Sequence, residues 1–173
     1  MFRIVELCLN NFEDVPSPCK HCLYWQSSED FDDSMLRARI QREKQEWFIK
    51  VFREFGDCGF IAYLNRNPIG FVQYAPPIFF PRIEEYTSGS PSRDAVFLAC
   101  LYIVNRENRG RGFGTAMLEK LLAELSKRKM KAIETFARKD LENNPSGPLA
   151  LYLKHGFKVE HDKGNYPLVR LEL

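Results

Sequence analysis

An uninterrupted apolar run at residues 96–104 leads into Arg109-Gly-Arg-Gly-Phe-Gly-Thr115 and then into a sequence of clear helical period. Leu118, Leu121, Leu122 and Leu125 fall at i, i+3, i+4 and i+7, one buried stripe. Glu119, Lys120, Glu124, Lys127 and Arg128 take the remaining faces. A strand, a glycine loop and a helix in this order constrain the chain more than any other stretch. The first amides of a helix have no intrahelical partner, and the macrodipole adds partial positive charge there. Gly110, Gly112 and Gly114 let a ligand approach the backbone, and Arg109 and Arg111 bring charged donors. The unit predicts an anion site with a pyrophosphate as its natural guest. The plainer reading is a glycine-rich turn with solvated arginines, which the shared register of strand, loop and helix disfavours.

At 173 residues the chain is expected to form one domain with its own core. Its 45% hydrophobic and 28% charged content is that of a globular protein, and a net charge of +2 gives no argument for nucleic acid. No apolar run approaches the roughly 20 residues of a membrane span. Arg3 and Glu6 interrupt residues 1–10, which therefore do not read as a signal peptide. Five cysteines in no dense framework fit a reducing, cytoplasmic setting.

Residues 2–7 alternate as a first strand, and 10–18, with its prolines, asparagines and acids, predicts an irregular loop. Asp32, Asp33 and Ser34 offer N-caps for a helix running to Gly56, with Leu36, Ile40, Trp47, Phe48, Val51, Phe52 and Phe55 as its apolar stripe. Residues 59–64 and 69–74 flank Asn65-Arg66-Asn67-Pro68 as a hairpin. Residues 75–94 hold four prolines and no regular period. So long an irregular stretch reads as a substrate loop or lid, and Phe79, Phe80 and Tyr86 suit one that folds over something; the alternative is an ordinary solvent loop. A strand at 131–137, a polar break at 138–147, a short helix at 148–155 closed by Gly156, and strands at 157–161 and 168–173 complete the order. The fold class is α/β (α+β): a single mixed, mostly antiparallel sheet flanked by helices.

Residues 1–33 combine the first strand with a Cys19-x-x-Cys22 lead-in. That pair admits half a zinc site, a redox pair, or small cysteines packed beside Trp25. Zinc wants four ligands, and no second Cys-x-x-Cys or His-x-x-x-His exists, so Cys8, His21 and Cys58 would have to converge by folding. Packing is the favoured reading, and no metal is expected. Cys100 lies within the core strand and is disfavoured as a nucleophile.

The sequence resembles the GNAT acyltransferase superfamily, which uses acetyl-coenzyme A. One motif is Arg109-x-x-Gly112-x-Gly114 after the strand; the other is Ala150-Leu-Tyr-Leu-Lys-His-Gly-Phe157, similar to the family's Ala-Leu-Tyr-x-x-x-Gly-Phe helix end. The element order agrees along nearly the whole chain. The resemblance implies that the amides of Arg109, Gly110, Arg111, Gly112, Phe113, Gly114 and Thr115 cradle the pyrophosphate. It implies that the backbone of Leu101, Tyr102, Ile103 and Val104 pairs with the pantetheine arm, and that Tyr152 serves the leaving thiolate. Many members carry an asparagine seven residues before that tyrosine. Here the position is Pro145, flanked by Asn144 and Ser146 as substitutes.

An N-acetyltransferase acting by direct transfer on a small-molecule or peptide amine needs that amine neutral. For a lysine-like amine of pKa about 10.4 this costs roughly 4–5 kcal/mol at pH 7. Glu84 and Glu85 border the expected acceptor side and are the candidate bases, with Asp94 and Glu134 behind them. The alternative is a non-catalytic acyl-coenzyme A sensor or interaction domain on the same fold. Neither nucleic acid nor a membrane is an expected partner; a homodimer is one expectation for its assembly.

Overall fold

A computed structural model describes residues 1–29, 37–139 and 146–173. Strands β1 (Phe2–Glu6), β2 (Gly59–Leu64), β3 (Asn67–Ala75), β4 (Ala95–Ile103), β5 (Ala132–Phe136), β6 (Lys158–His161) and β7 (Leu168–Glu172) form one sheet in the order β1-β2-β3-β4-β5-β7-β6. Every neighbouring pair is antiparallel except β4 and β5. The mixed, mostly antiparallel sheet read from the sequence is therefore present. The β2–β3 hairpin closes on Asn65 (φ 51°) and Arg66 (φ 73°). Two left-handed residues match the strand twist as a type I′ turn does.

Two apolar layers cover the sheet. Helix α1 (Arg37–Glu54) packs Phe48 and Val51 against Ile61, Phe71 and Phe97 on one face. Helices α2 (Phe113–Lys127) and α3 (Leu149–Lys154) cover the other, with Met117, Leu118, Leu121, Leu125 and Tyr152 against Val72, Leu98 and Ile133. The leucine stripe of α2 is buried as its spacing predicts, with Leu122 at its margin. The α1 stripe needs two corrections. Phe52 is 45% exposed, while Lys44, a cation at a position in phase with Ile40 and Phe48, is buried. The N-cap candidates Asp32, Asp33 and Ser34, and Leu36, lie outside the described residues.

Two segments expected to be irregular are folded. A 3-10 helix spans Leu9–Asp14 and buries Phe12. Residues 75–94 carry 3-10 turns at Pro77–Phe79 and Pro81–Glu85, with Phe80, Arg82 and Ile83 buried. Arg82 ties this segment to the lead-in by donating to the carbonyls of Ser27 at 3.0 Å and Glu29 at 2.9 Å. Trp25 is sandwiched below it, stacked on Tyr86 at 5.2 Å and edge-on to Phe97 at 5.1 Å. Such aromatic pairs add about 0.5–1.5 kcal/mol each beyond area burial. The 75–94 segment packs over the α1 side of the sheet. Among the described residues, no helix is long and apolar enough to cross a membrane.

Strands β4 and β5 pair only where Ala95, Val96 and Phe97 meet Ala132, Ile133 and Glu134. A bulge in β4 sets Gln73 opposite Cys100 and Tyr74 opposite Leu98, so Ala99 has no partner on β3. Bulges bend and twist a strand, and beyond this one β4 leaves β5. The closed end of the pair is pinned by Arg170, which donates to Glu134 at 2.6 Å and to Asp94 at 3.2 Å. Glu134 also accepts from the Ser92 amide at 2.7 Å, and Asp94 faces Lys131 at 3.7 Å.

Replacing Arg170 with Met strands the buried Glu134 carboxylate, and denaturant unfolding is expected to show a loss of about 3 kcal/mol. The Arg170 hydrogen bond holds the Asp94 carboxyl below its ordinary range. Stability from that pairing is present above the unfolded carboxylate pKa of about 4 and is lost as pH falls through the lower folded value. Unfolding followed between pH 7 and pH 2 is expected to show this loss in the parent and less of it in Arg170→Met.

Candidate active site

Where β4 leaves β5, a cleft of about 690 Å³ opens between the end of β4, the start of α2 and the start of α3. Leu101, Tyr102, Ile103, Arg109, Gly110, Gly112, Gly114 and Thr115, all candidate site residues, line it. Arg106, Asn108, Gly147, Pro148 and Leu151 also line it, and the sequence reading had not singled out these five. Arg106 stood in plain view as a cation just before the glycine loop, in what the structure shows as a 3-10 turn at Arg106–Asn108.

Gly110 (φ 72°) and Gly112 (φ 84°) are left-handed, and Gly112 caps α2 while its carbonyl accepts from the Ala116 amide. Gly114 has no such backbone demand. A Cβ built on any of the three meets nothing within 4 Å. The protein's own packing therefore does not require Gly114 to lack a side chain; what the missing Cβ keeps free is the cleft. The first turn of α2, whose amides have no intrahelical partner, borders the cleft at Gly114 and Thr115.

The two arginine side chains of the glycine loop make contacts within the protein. Arg109 donates to the carbonyls of Ile103 at 2.9 Å and Val104 at 3.1 Å and to the Tyr102 hydroxyl at 2.9 Å. It braces the end of β4. Arg111 lies over the Phe113 ring at 5.2 Å and donates to Asn108 Oδ1 at 3.2 Å, outside the cleft lining. Phe113 stacks on Phe2 at 4.7 Å, also outside it. Val104 is occupied twice, its amide bonded to the Ile69 carbonyl and its own carbonyl to Arg109. Of residues 101–104, Leu101, Tyr102 and Ile103 line the cleft, the Ile103 carbonyl being bonded to Arg109 as well.

Tyr152 is fully buried beside the cleft, and its hydroxyl donates to the Ser146 carbonyl. Burial pushes its pKa up, so it stays protonated. Gly147 (φ 79°) lies against it: a Cβ there would come within 2.9 Å of the hydroxyl. Ser146 is buried, while Asn144 and Pro145 lie outside the described residues. None of the four acids lines the cleft. Glu84 lines a separate cavity of about 780 Å³ and accepts from Ser90 Oγ at 2.9 Å. Glu85 pairs with Arg82 at 3.5 Å, and Asp94 and Glu134 belong to the Arg170 network at the closed end. Burial pushes the Cys19 thiol up to about 11 and raises Cys100 as well, which argues against either as a nucleophile. Among the described residues, no group of three His, Cys, Asp or Glu side chains is placed to hold a metal.

Residues 19–157 match the model of the acetyltransferase (GNAT) family. The chain belongs to the GNAT family. Its fold is similar to the PaiA N-acetyltransferase of Thermoplasma acidophilum in complex with coenzyme A, with a TM-score of 0.63 at 16% identity over 100% of this chain and 99% of that one. A GNAT acetyltransferase from Brucella melitensis in complex with acetyl-CoA aligns with a TM-score of 0.58 at 12% identity, over 100% and 88%. The ribosomal-protein-S18-alanine N-acetyltransferase of Escherichia coli aligns at 0.56 and 16%, over 100% and 93%. No curated protein matches at a significant level.

The Gly147–Tyr152 contact is testable by a double-mutant cycle. Gly147→Ala is expected to lose about 2–3 kcal/mol in denaturant unfolding, part left-handed backbone cost and part clash. Adding Tyr152→Phe removes the clashing hydroxyl and should recover the clash share, leaving a backbone cost of about 1–2 kcal/mol.

Proposed function

We propose that this GNAT-family protein is an N-acetyltransferase that moves an acetyl group from acetyl-coenzyme A to the amine of a small molecule or peptide by direct transfer. The observation that carries the reading is the glycine cradle at the start of α2, where Gly114 lacks a side chain for no reason internal to the protein. Bound there, acetyl-coenzyme A supplies an activated thioester. The amides of 113–115 and the nearby Arg106 would hold its phosphates, and the backbone at 101–103 would guide the arm. Amides along that edge would polarise the acyl carbonyl.

Tyr152, kept protonated by burial, would donate a hydrogen bond to the departing sulfur, and not serve as its acid, once its hydroxyl leaves the Ser146 carbonyl. A thiol near pKa 8.5 against even an ordinary tyrosine near 10 makes full transfer uphill by about 2 kcal/mol. No described carboxylate faces the cleft, so the acceptor's proton leaves to solvent. The five cysteines, all free, suit a reducing cytoplasm.

Two observations favour a second reading, a non-catalytic acyl-coenzyme A sensor: the Tyr152 hydroxyl is engaged by Ser146, and no carboxylate lines the cleft. Thiol release from acetyl-coenzyme A with a panel of amines, amino acids and peptides separates the two. Turnover whose kcat/KM rises about tenfold per pH unit below the acceptor's pKa is the expected result. Tyr152→Phe should lower kcat more than coenzyme affinity. Tight binding with no thiol release from any amine would leave the sensor.

A further inference from the structure

The turn ahead of the glycine loop holds a polar side chain of which the protein uses only one end. Asn108 closes the 3-10 turn Arg106–Asn108, is 6% exposed and lines the cleft. Its Oδ1 accepts from Arg111 Nη1 at 3.2 Å. A guanidinium only donates, so the carboxamide oxygen must face Arg111 and the amino end must point away from it. Among the described residues nothing accepts from that amino end, which reaches solvent. A nearly buried asparagine in the wall of the cleft thus has its Nδ2 donors left for a ligand.

Arg111 is held where it can fix this orientation. Its guanidinium lies over the Phe113 ring, and Phe113 stacks in turn on Phe2 of β1. Arg111 does not itself line the cleft. The stack steadies the guanidinium, the guanidinium steadies Oδ1, and the carboxamide offers donors on its far side. An occupant at this end has to accept hydrogen bonds. Arg106 and the glycines of the loop share the same wall and no carboxylate lines it, which favours an anion and, on a coenzyme, a phosphate. We propose that Asn108 donates through Nδ2 to a phosphate oxygen of the bound coenzyme, and that Arg111 is a positioning residue acting through Asn108 without touching the ligand. This rests on acetyl-coenzyme A occupying the cleft, as read above.

Titration calorimetry of acetyl-coenzyme A against single and double variants of the full chain tests it, in about 0.3 M salt so that long-range attraction to the Arg111 charge is screened. Asn108→Ala should bind about tenfold more weakly than the parent, the loss expected for one hydrogen bond to a charged acceptor. Asn108→Asp keeps an oxygen toward Arg111 and sets another where the donor was, so it should bind more weakly still. Arg111→Met should lose about three- to fivefold alone and nothing further in the Asn108→Ala background, because the two side chains act as one unit. Arg111→Lys, which keeps a donor for Oδ1, should recover part of that loss. Arg111 is at the surface, so Arg111→Met keeps the proposal testable if Asn108→Ala folds poorly. Acetylpantetheine carries the same thioester without the phosphates; its affinity, read by competition with acetyl-coenzyme A, should be the same in parent and variants. Parent-like acetyl-coenzyme A affinity in both Asn108 variants would overturn the proposal. So would losses that add in the double variant, which would put Arg111 on the ligand itself, or an equal loss for acetylpantetheine, which would make the effect structural. A parent protein that binds no acetyl-coenzyme A would remove the reading of the cleft and this proposal with it.

Discussion

The parting of β4 from β5 is the constraint on which the site depends. Parallel strands that paired along their whole length would satisfy each other's amides and carbonyls and leave no edge for a ligand. Here pairing ends after Phe97 and Glu134, and the bulge at Ala99 bends β4 away. The Arg170 network fastens the closed end, while Arg109 braces the free end of β4 from the loop side. An edge held at both ends can stay open without unravelling. The α2 start and Pro148 then complete the walls of the cleft.

The two faces of the sheet divide the labour. Behind the cleft, α2 and α3 fill one face with aliphatic side chains and the buried Tyr152. The other face carries the Trp25–Phe97–Phe136–Tyr86 aromatic cluster and the buried polar side chains of Lys44 and Gln73. Arg82 locks the 75–94 segment onto that side through the lead-in carbonyls. The cysteines of the lead-in accordingly read as part of this packed layer: Cys19 joins the core cluster beneath Trp25, and the Cys22 carbonyl is the anchor for Lys44.

Features set by local period and turn chemistry were legible in the sequence. The leucines of α2, the Asn65-Arg66 hairpin and the glycine loop each follow from short-range rules, and the structure carries them. Features set by long-range pairing were not. Lys44 occupies an in-phase position of the α1 stripe, yet its charge argued for solvent until the Cys22 carbonyl and the Phe71 ring were in place. Nothing local shows that the Arg109 side chain would bond Tyr102 and two strand carbonyls. Glu84 and Glu85 sit on a long connection whose path over the sheet is decided by Arg82 and Phe80, far from the spacing rules that placed the glycines.

Gly110 and Gly112 answer to their left-handed backbone, whereas Gly114 is kept bare for a ligand and not for the fold. Gly114→Leu tests this, since Gly114 lies within α2, carries no left-handed backbone and has no neighbour within 4 Å of an added Cβ. Leucine improves helix propensity over glycine by about 0.5–1 kcal/mol. Titration calorimetry with acetyl-coenzyme A, paired with thermal melting, should show one-to-one binding in the parent. In Gly114→Leu it should show a melting temperature no lower than the parent's and binding lost. Parent-like acetyl-coenzyme A affinity in the well-folded Gly114→Leu protein would contradict the account.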